Sequence, residues 1–321
     1  MKSEEADRIS FVLPVSIANT GRDGDDLRRL KPLLASFLGR FFLPDLQDFW
    51  VVTPPGEIDQ VRSALRAHTA DQRFRVIPET AVCPELASDP DTTDSWPRSN
   101  KGWHRQQLIK LATCDVVETP FYVTLDADVT CSRRFRASDL VSGGQALCGV
   151  ETEADYRALY TPDFASWEVQ VKEQRVGFAE RVFNAPRPHE HRGEYYAETP
   201  VVFATDAVRA MAARLESQYR LPWRQVLLAN LPWTEQALFF HFLEVEGQLE
   251  KYYRKGGPNA VLRLYDSLWQ APSWYVVERT LATWNIERAF SQTADGYFVV
   301  VQSHLGLPID EVERRIMPFL F

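Results

Sequence analysis

The feature that most constrains the fold is an alternation of short apolar runs with amphipathic stretches over the first 125 residues. Residues 9–17, 49–53, 74–77 and 121–125 are rich in aromatic and β-branched side chains and are short enough to be buried strands. Between them Leu27, Leu30, Leu33, Leu34, Phe37 and Leu38 recur at helical spacing, and helices are predicted over about 57–68 and 103–114. Strands separated by helices cross over and lie parallel, and a parallel sheet needs helices on both faces. The sequence therefore predicts an α/β fold with a mostly parallel central sheet. Pro14 has no N–H to give a ladder, so the first strand is expected at an edge or bulge.

Later segments are less regular. Residues 200–204 read as a strand, followed by a helix carrying Val208, Met211, Ala212 and Leu215. A helical run covers 236–243, a strand 297–302, and Pro308 starts a short final helix. Residues 84–101 form a long irregular segment of the kind used as a lid or connection. Residues 151–198 show no clear period.

With 321 residues the chain can bury the core of one large α/β domain or two smaller ones. A net charge of −8 argues against non-specific nucleic-acid binding, which needs Lys and Arg to neutralise phosphates. The acidic start is unlike a secretory leader, and no apolar run approaches the roughly 20 residues that span a bilayer. A cytoplasmic location is expected, with peripheral membrane contact left open. Cys83, Cys114, Cys131 and Cys148 lack paired C-x-x-C spacing, so buried thiols are expected rather than a zinc or redox site.

The candidate chemistry centres on Asp126 and Asp128, which follow an apolar strand. On an extended strand they would share one face, about 7 Å apart at Cα. Two carboxylates so placed suit a hard divalent cation, although Asp is also common in strand-end turns because it bonds nearby N–H groups. The helix before them carries Trp103, Gln106, Gln107 and Lys110 on a stripe distinct from Leu108, Leu111 and Ala112, which fits either a ligand-facing side or a packed amphipathic edge. Asn19 lies in a polar loop after the first strand, where open α/β sheets commonly bind ligands. Thr234 is a plausible N-cap that puts Glu235 in the first turn of a helix, favoured there by the dipole whatever its role. His304 follows the last strand in a Gly-containing turn and could be either an imidazole ligand or a hydrogen-bonding turn residue. The cluster Arg133, Arg134 and Arg136 could attract an anion or form a solvated turn. No P-loop, G-x-S-x-G elbow or H-E-x-x-H is present.

The run Gly102-Trp103-His104-Arg105-Gln106-Gln107-Leu108-Ile109-Lys110-Leu111, followed by Leu125-Asp126-Ala127-Asp128, resembles glycosyltransferases of the GT-A type. It is similar in particular to a bacterial group with a Gly-Trp-x-x-Gln-Gln-x-x-Lys-Leu helix before a Leu-Asp-Ala-Asp strand. The resemblance implies a Rossmann-type three-layer fold of the nucleotide-diphospho-sugar transferase kind. It implies a tail at 1–8, a donor half at 9–130 and an acceptor half at 131–321 of one domain. Asp126 and Asp128 would engage Mn²⁺ or Mg²⁺ and the diphosphate of a nucleotide-sugar donor, with His304 as a third metal ligand. Trp103, Gln106, Gln107, Lys110 and Asn19 would line the donor site. Glu235 would be the base acting on a glycan or glycolipid acceptor, in bacterial surface polysaccharide synthesis. Two other functions fit the same residues: a sugar-phosphate nucleotidyltransferase and a non-catalytic glycan-binding module.

Overall fold

The computed structural model describes residues 8–17, 26–87, 101–230, 232–269, 281, 283–305 and 307–320. The chain runs β1 (Ile9–Pro14), α1 (Asp26–Arg40), β2 (Leu46–Thr53), α2 (Ile58–Arg66), β3 (Phe74–Pro78), α3 (Lys101–Ala112) and β4 (Phe121–Thr124). It continues through β5 (Val129–Cys131), β6 (Gln145–Thr152), α4 (Glu153–Leu159), α5 (Pro162–Phe183), β7 (Glu194–Tyr196), β8 (Val201–Ala204) and α6 (Thr205–Tyr219). The last elements are α7 (Trp223–Ala229), α8 (Glu235–Val245), β9 (Tyr253–Gly256), β10 (Phe298–Val300) and α9 (Ile309–Ile316).

The central sheet has the order β3-β2-β1-β4-β8, parallel except for β8, which runs antiparallel to β4. This is the α/β architecture with a mostly parallel sheet that the β/α alternation predicts. On one face Phe11, Phe49 and Phe74 are neighbours in register across β1, β2 and β3, and Phe37 of α1 packs edge-on against Phe11 and Phe49 at 4.8 and 5.0 Å. On the other face the Tyr122 hydroxyl donates to the Lys110 carbonyl of α3 at 3.0 Å, and Phe239 of α8 packs edge-on against Phe203 of β8. Helices thus cover both faces, which removes the apolar side chains of a parallel sheet from water.

The expectation that Pro14 marks an edge strand or a bulge is corrected: the register of β1 shifts between Ile9 and Phe11, not at Pro14. Strand β1 lies in the centre of the sheet, and Pro14 is tolerated because it is the last residue of the strand. Val15 N–H goes to Val52 on the β2 side, so the Pro14 nitrogen faces β4, where the registered pairs end at Val12 and Thr124.

The stretch 151–198, which shows no period in the sequence, contains the 22-residue helix α5. That helix buries Phe164, Ala165, Lys172, Ala179, Val182 and Phe183, a mixed set that a simple apolar stripe does not reveal. A second sheet pairs β9 parallel to β6 and β7 antiparallel to it, and β10 pairs antiparallel with β5.

A smaller apolar cluster, including Leu268, Trp284, Val299, Val312 and Ile316, sits under α9. Arg263 ties this region to the rest. Its five N–H groups donate to the carbonyls of Arg288, Ala289, Ser291, Ala294 and Gly296 at 2.7–3.2 Å. Gly296 has φ +79°, and a Cβ there would lie 2.6 Å from the Asn259 carbonyl, so the turn accepts only glycine. The four cysteines are free and buried, as expected from their spacing. Among the described residues no helix is long and apolar enough to cross a membrane.

Candidate functional site

In the order β3-β2-β1-β4 the chain moves outward from β1 to β3 and then returns to the far side of β1. The reversal falls between β1 and β4, and open α/β sheets bind ligands at such a point, beyond the carboxyl ends of the strands. Asp126 stands there, two residues beyond the end of β4. Leu125 N–H still pairs with the Val12 carbonyl at 2.8 Å, after which Val129 N–H bonds the Asp126 carbonyl at 3.1 Å and closes a turn.

The shared strand face expected for the two aspartates is therefore replaced by a turn that sends them to different partners. Asp126 Oδ1 lies 2.7 Å from Lys110 Nζ. Asp128 Oδ2 accepts the Ser303 N–H at 2.8 Å, and its carbonyl accepts the Val301 N–H at 3.2 Å. Asp128 thus bonds a backbone N–H, as in the turn reading, but one contributed 175 residues later.

Lys110 and Gln107, one helical turn apart on α3, meet the start of α8. Lys110 Nζ lies 3.0 Å from Glu235 Oε1, and Gln107 Oε1 accepts the Glu235 N–H at 2.9 Å. The capping expected of Thr234 is corrected here: it occupies the N-cap position, but its hydroxyl makes no cap bond, and Gln107 satisfies the first-turn amide. The Lys110 side chain is 1% exposed and Glu235 2%, whereas Asp126 keeps 27%. Burial alone would discharge the Lys110 ammonium, but Asp126 and Glu235 outweigh it and raise its pKa above the ordinary value. Burial raises the pKa of Glu235, with Lys110 opposing and Asp126 adding. Burial also raises Asp128, reinforced by the charge of Asp126 and opposed by the Ser303 bonds and Arg29.

Glu235 is therefore sealed rather than presented: Oε1 faces Lys110, and Oε2 is buried without a partner. The base role expected of it does not fit, because a base must reach the acceptor hydroxyl. Trp103 and Gln106 are half-buried on the same helix, and Trp103 packs its ring against His104 at 4.8 Å. The His304 backbone lies in the 3-10 turn 303–305, directly after the Ser303 amide that holds Asp128. The His304 side chain, Asn19, residues 1–7 and residues 88–100 of the expected lid lie outside the described residues. Of the basic cluster, Arg136 pairs with Asp45 at 3.1 Å and Arg133 bonds the Ala294 carbonyl at 2.9 Å, both structural roles.

The carboxylates suit a cation in one respect. Lys110 takes one oxygen of Asp126 and the Ser303 amide one of Asp128, which leaves Asp126 Oδ2 and Asp128 Oδ1 with no ion pair or N–H donor among the described residues, although the Ser303 side chain also acts on Asp128. No group of three or more His, Cys, Asp or Glu that could hold a metal occurs among the described residues. A cation here would thus take most of its ligands from water or substrate oxygens, the usual condition of Mg²⁺.

Near this cluster opens a cavity of about 310 Å³, walled in part by α5. Gln302, next to Ser303, is part of its wall, and so is Arg175, which the Glu235 charge reaches. Its polar lining is largely paired internally. Lys172 Nζ lies 2.7 Å from Glu198 and 3.2 Å from Glu151, Tyr156 donates to Glu151 at 2.5 Å, and Arg175 pairs with Glu198. Glu198 is held at about 2: burial would raise it, but Arg175 and Lys172 outweigh burial. Sequence reading missed these residues. The available signal was the spacing of Glu168, Lys172 and Arg175, at i, i+4 and i+7 on one helical side. A second cleft, beside the bidentate Arg187–Glu244 pair, offers only about 20 Å³, room for about one water.

A family description matches residues 6–321, nearly the whole sequence. The chain belongs to DUF6492, a family of unknown function. No curated protein matches it. Two solved structures similar to this DUF6492 chain are the apo form of mouse xyloside xylosyltransferase 1 and galactosyltransferase LgtC in complex with donor and acceptor sugar analogues. The first is 13% identical with a TM-score of 0.48, covering 94% of this chain and all of that one. The second is 10% identical, also at 0.48, covering 97% of this chain and 96% of that one.

Proposed function

We propose that the chain is a divalent-metal-dependent glycosyltransferase of GT-A type, which moves a sugar from a nucleotide-sugar donor to a glycan or glycolipid. The observation that carries this reading is the pair of aspartates at the switch point of a parallel sheet, each with one oxygen fixed by a lysine or a backbone N–H and the other taken by no such donor among the described residues. The motif Gly102 to Asp128, with its resemblance to such enzymes, supports the choice of reaction. In this reading residues 9–130 bind the donor and 131–321 the acceptor, and a role in surface polysaccharide synthesis rests on the resemblance alone.

Asp126 Oδ2 and Asp128 Oδ1 would hold Mn²⁺ or Mg²⁺, with His304 as the candidate for a further ligand. The ion would supply positive charge to the diphosphate as it leaves. Lys110 aligns Asp126, while Glu235 and Gln107 hold Lys110 and the α8 terminus in place, so both act as positioning residues. Trp103 and Gln106, half-buried on the same helix, and Asn19 are the remaining donor-site candidates.

Thermal shift with UDP-, GDP-, CMP- and dTDP-sugars, with and without Mn²⁺, tests this. One donor should raise the melting temperature only when Mn²⁺ is present, and Asp128→Asn should lose that rise while folding normally. A rise that Asp128→Asn retains would remove the pair from donor binding. Condensation of a nucleoside triphosphate with a sugar phosphate would replace transfer by nucleotidyl chemistry.

A further inference from the structure

We infer that the 310 Å³ cavity is the subsite for a hydroxyl-bearing ring, and that Glu168 takes the proton of the acceptor hydroxyl there. This rests on the donor reading above. Among the carboxylates that line the cavity, Glu151 and Glu198 are already consumed by Lys172, Arg175 and Tyr156. Glu168 is half-buried in the wall and has no hydrogen bond or ion pair among the described residues. Trp269 adds a buried indole N–H without a partner, and its aromatic surface suits the apolar face of a sugar ring. A paired ionic wall, one unspent acceptor, one unspent donor and an aromatic side fit a neutral polyol ring better than an anion or a cation.

The groups facing Glu168 are Lys172 and Arg175 on its own helix, Glu198 before β8, Glu151 on β6 and Tyr156 on α4. Burial pushes its carboxyl up to about 7, with Lys172 and Arg175 opposing and Glu198 and Glu151 adding. A base that titrates near the working pH is well matched to abstracting a hydroxyl proton in the transition state.

The step balances as a single displacement. The hydroxyl proton passes to a Glu168 oxygen, the acceptor oxygen bonds the anomeric carbon, and the bond from that carbon to the diphosphate breaks, its electron pair leaving with the diphosphate. Nothing is oxidised or reduced. Attack from the side opposite the leaving group inverts the anomeric configuration, and Glu168 then returns its proton to water.

The test uses the full chain with Mn²⁺, the sugar nucleotide that gives a thermal shift, and a panel of methyl glycosides as acceptors. Nucleoside diphosphate release and product configuration are followed from pH 5.5 to 9 for wild type and Glu168→Gln. The variant should lose about 100-fold or more of the transfer rate while its donor-induced thermal shift is unchanged. The wild-type rate should fall about tenfold per pH unit below about 7, and the variant should lack that limb. Near-normal transfer by Glu168→Gln, persistence of the limb, or a retained anomeric configuration would overturn the inference. So would a wild type that binds donor yet transfers neither to a methyl glycoside nor to water. Absence of any donor-induced shift in wild type, by contrast, would sink the donor reading and this inference with it.

Discussion

Replacing Lys110 by Met tests how the site is held together. The ammonium sits 2.7 Å from Asp126 and 3.0 Å from Glu235 in a fully buried position. At an effective dielectric near 20 each attraction is roughly 6 kcal/mol before desolvation of the charges is subtracted. Methionine matches the length and apolar volume of the stem but leaves Glu235 buried and unpaired. Removing one partner of a buried pair costs about 3–5 kcal/mol, because the other charge remains without compensation. Asp126, with 27% of its side chain exposed, keeps some solvation, so the penalty falls mainly on Glu235. For a chain of this length roughly 2 °C per kcal/mol gives a fall in melting temperature of about 6–10 °C.

The assay is thermal unfolding at pH 8 and pH 5, with Lys110→Met/Glu235→Gln as the second variant. Burial already raises the Glu235 pKa, and loss of Lys110 removes the charge that opposes this rise. A carboxyl raised on folding costs stability as pH rises through its folded value, so the deficit of Lys110→Met should shrink toward pH 5. The double variant should recover at least half of the loss. A melting temperature within about 1 °C of wild type, or a double variant no better than the single one, would refute the electrostatic account.

Two further outcomes follow from the same structure. The Glu168 carboxyl rises from 4.5 to about 7 on folding, so its ionisation costs stability that is absent below pH 4.5 and fully present above about pH 7. At roughly 1.4 kcal/mol per decade that cost is up to about 3.5 kcal/mol. Glu168→Gln should therefore melt like wild type at pH 4.5 and higher at pH 8, and a difference independent of pH would contradict the burial described. Arg263→Lys should cost about 3 kcal/mol, because three donors cannot serve five carbonyls, of which those of Ala289 and Gly296 are held in buried bonds. Urea unfolding measures the loss, and an unchanged midpoint would mean that water replaces the guanidinium.

Much of the scaffold was legible in the residues. The strands at 9–17, 49–53, 74–77, 121–125 and 200–204 and the helices between them follow from local periodicity, which depends only on neighbours in sequence. That an acidic pair, Asp126 and Asp128, ends an apolar strand was legible for the same reason, and so was the helix starting near Glu235, but the residues left open whether the pair shares a strand face or sits in a turn. What these residues meet was decided by the fold. The sequence cannot say that Gln107 rather than Thr234 caps α8, that Lys110 seals Glu235, or that Ser303 reaches back 175 residues to Asp128, because each partner is distant in the chain. The central place of β1 depended on the crossover to β4, and a proline at its last residue misled because only one flank was paired there. Helix α5 and Glu168 were hidden by the same cause: a helix that walls a polar cavity buries Lys172 beside Phe164, so its apolar period is broken. Local chemistry thus determined where the chain makes most of its strands and several of its helices, and where it places an acidic pair. Only tertiary packing determined which carboxylates are spent on lysine and arginine and which one is left facing open space.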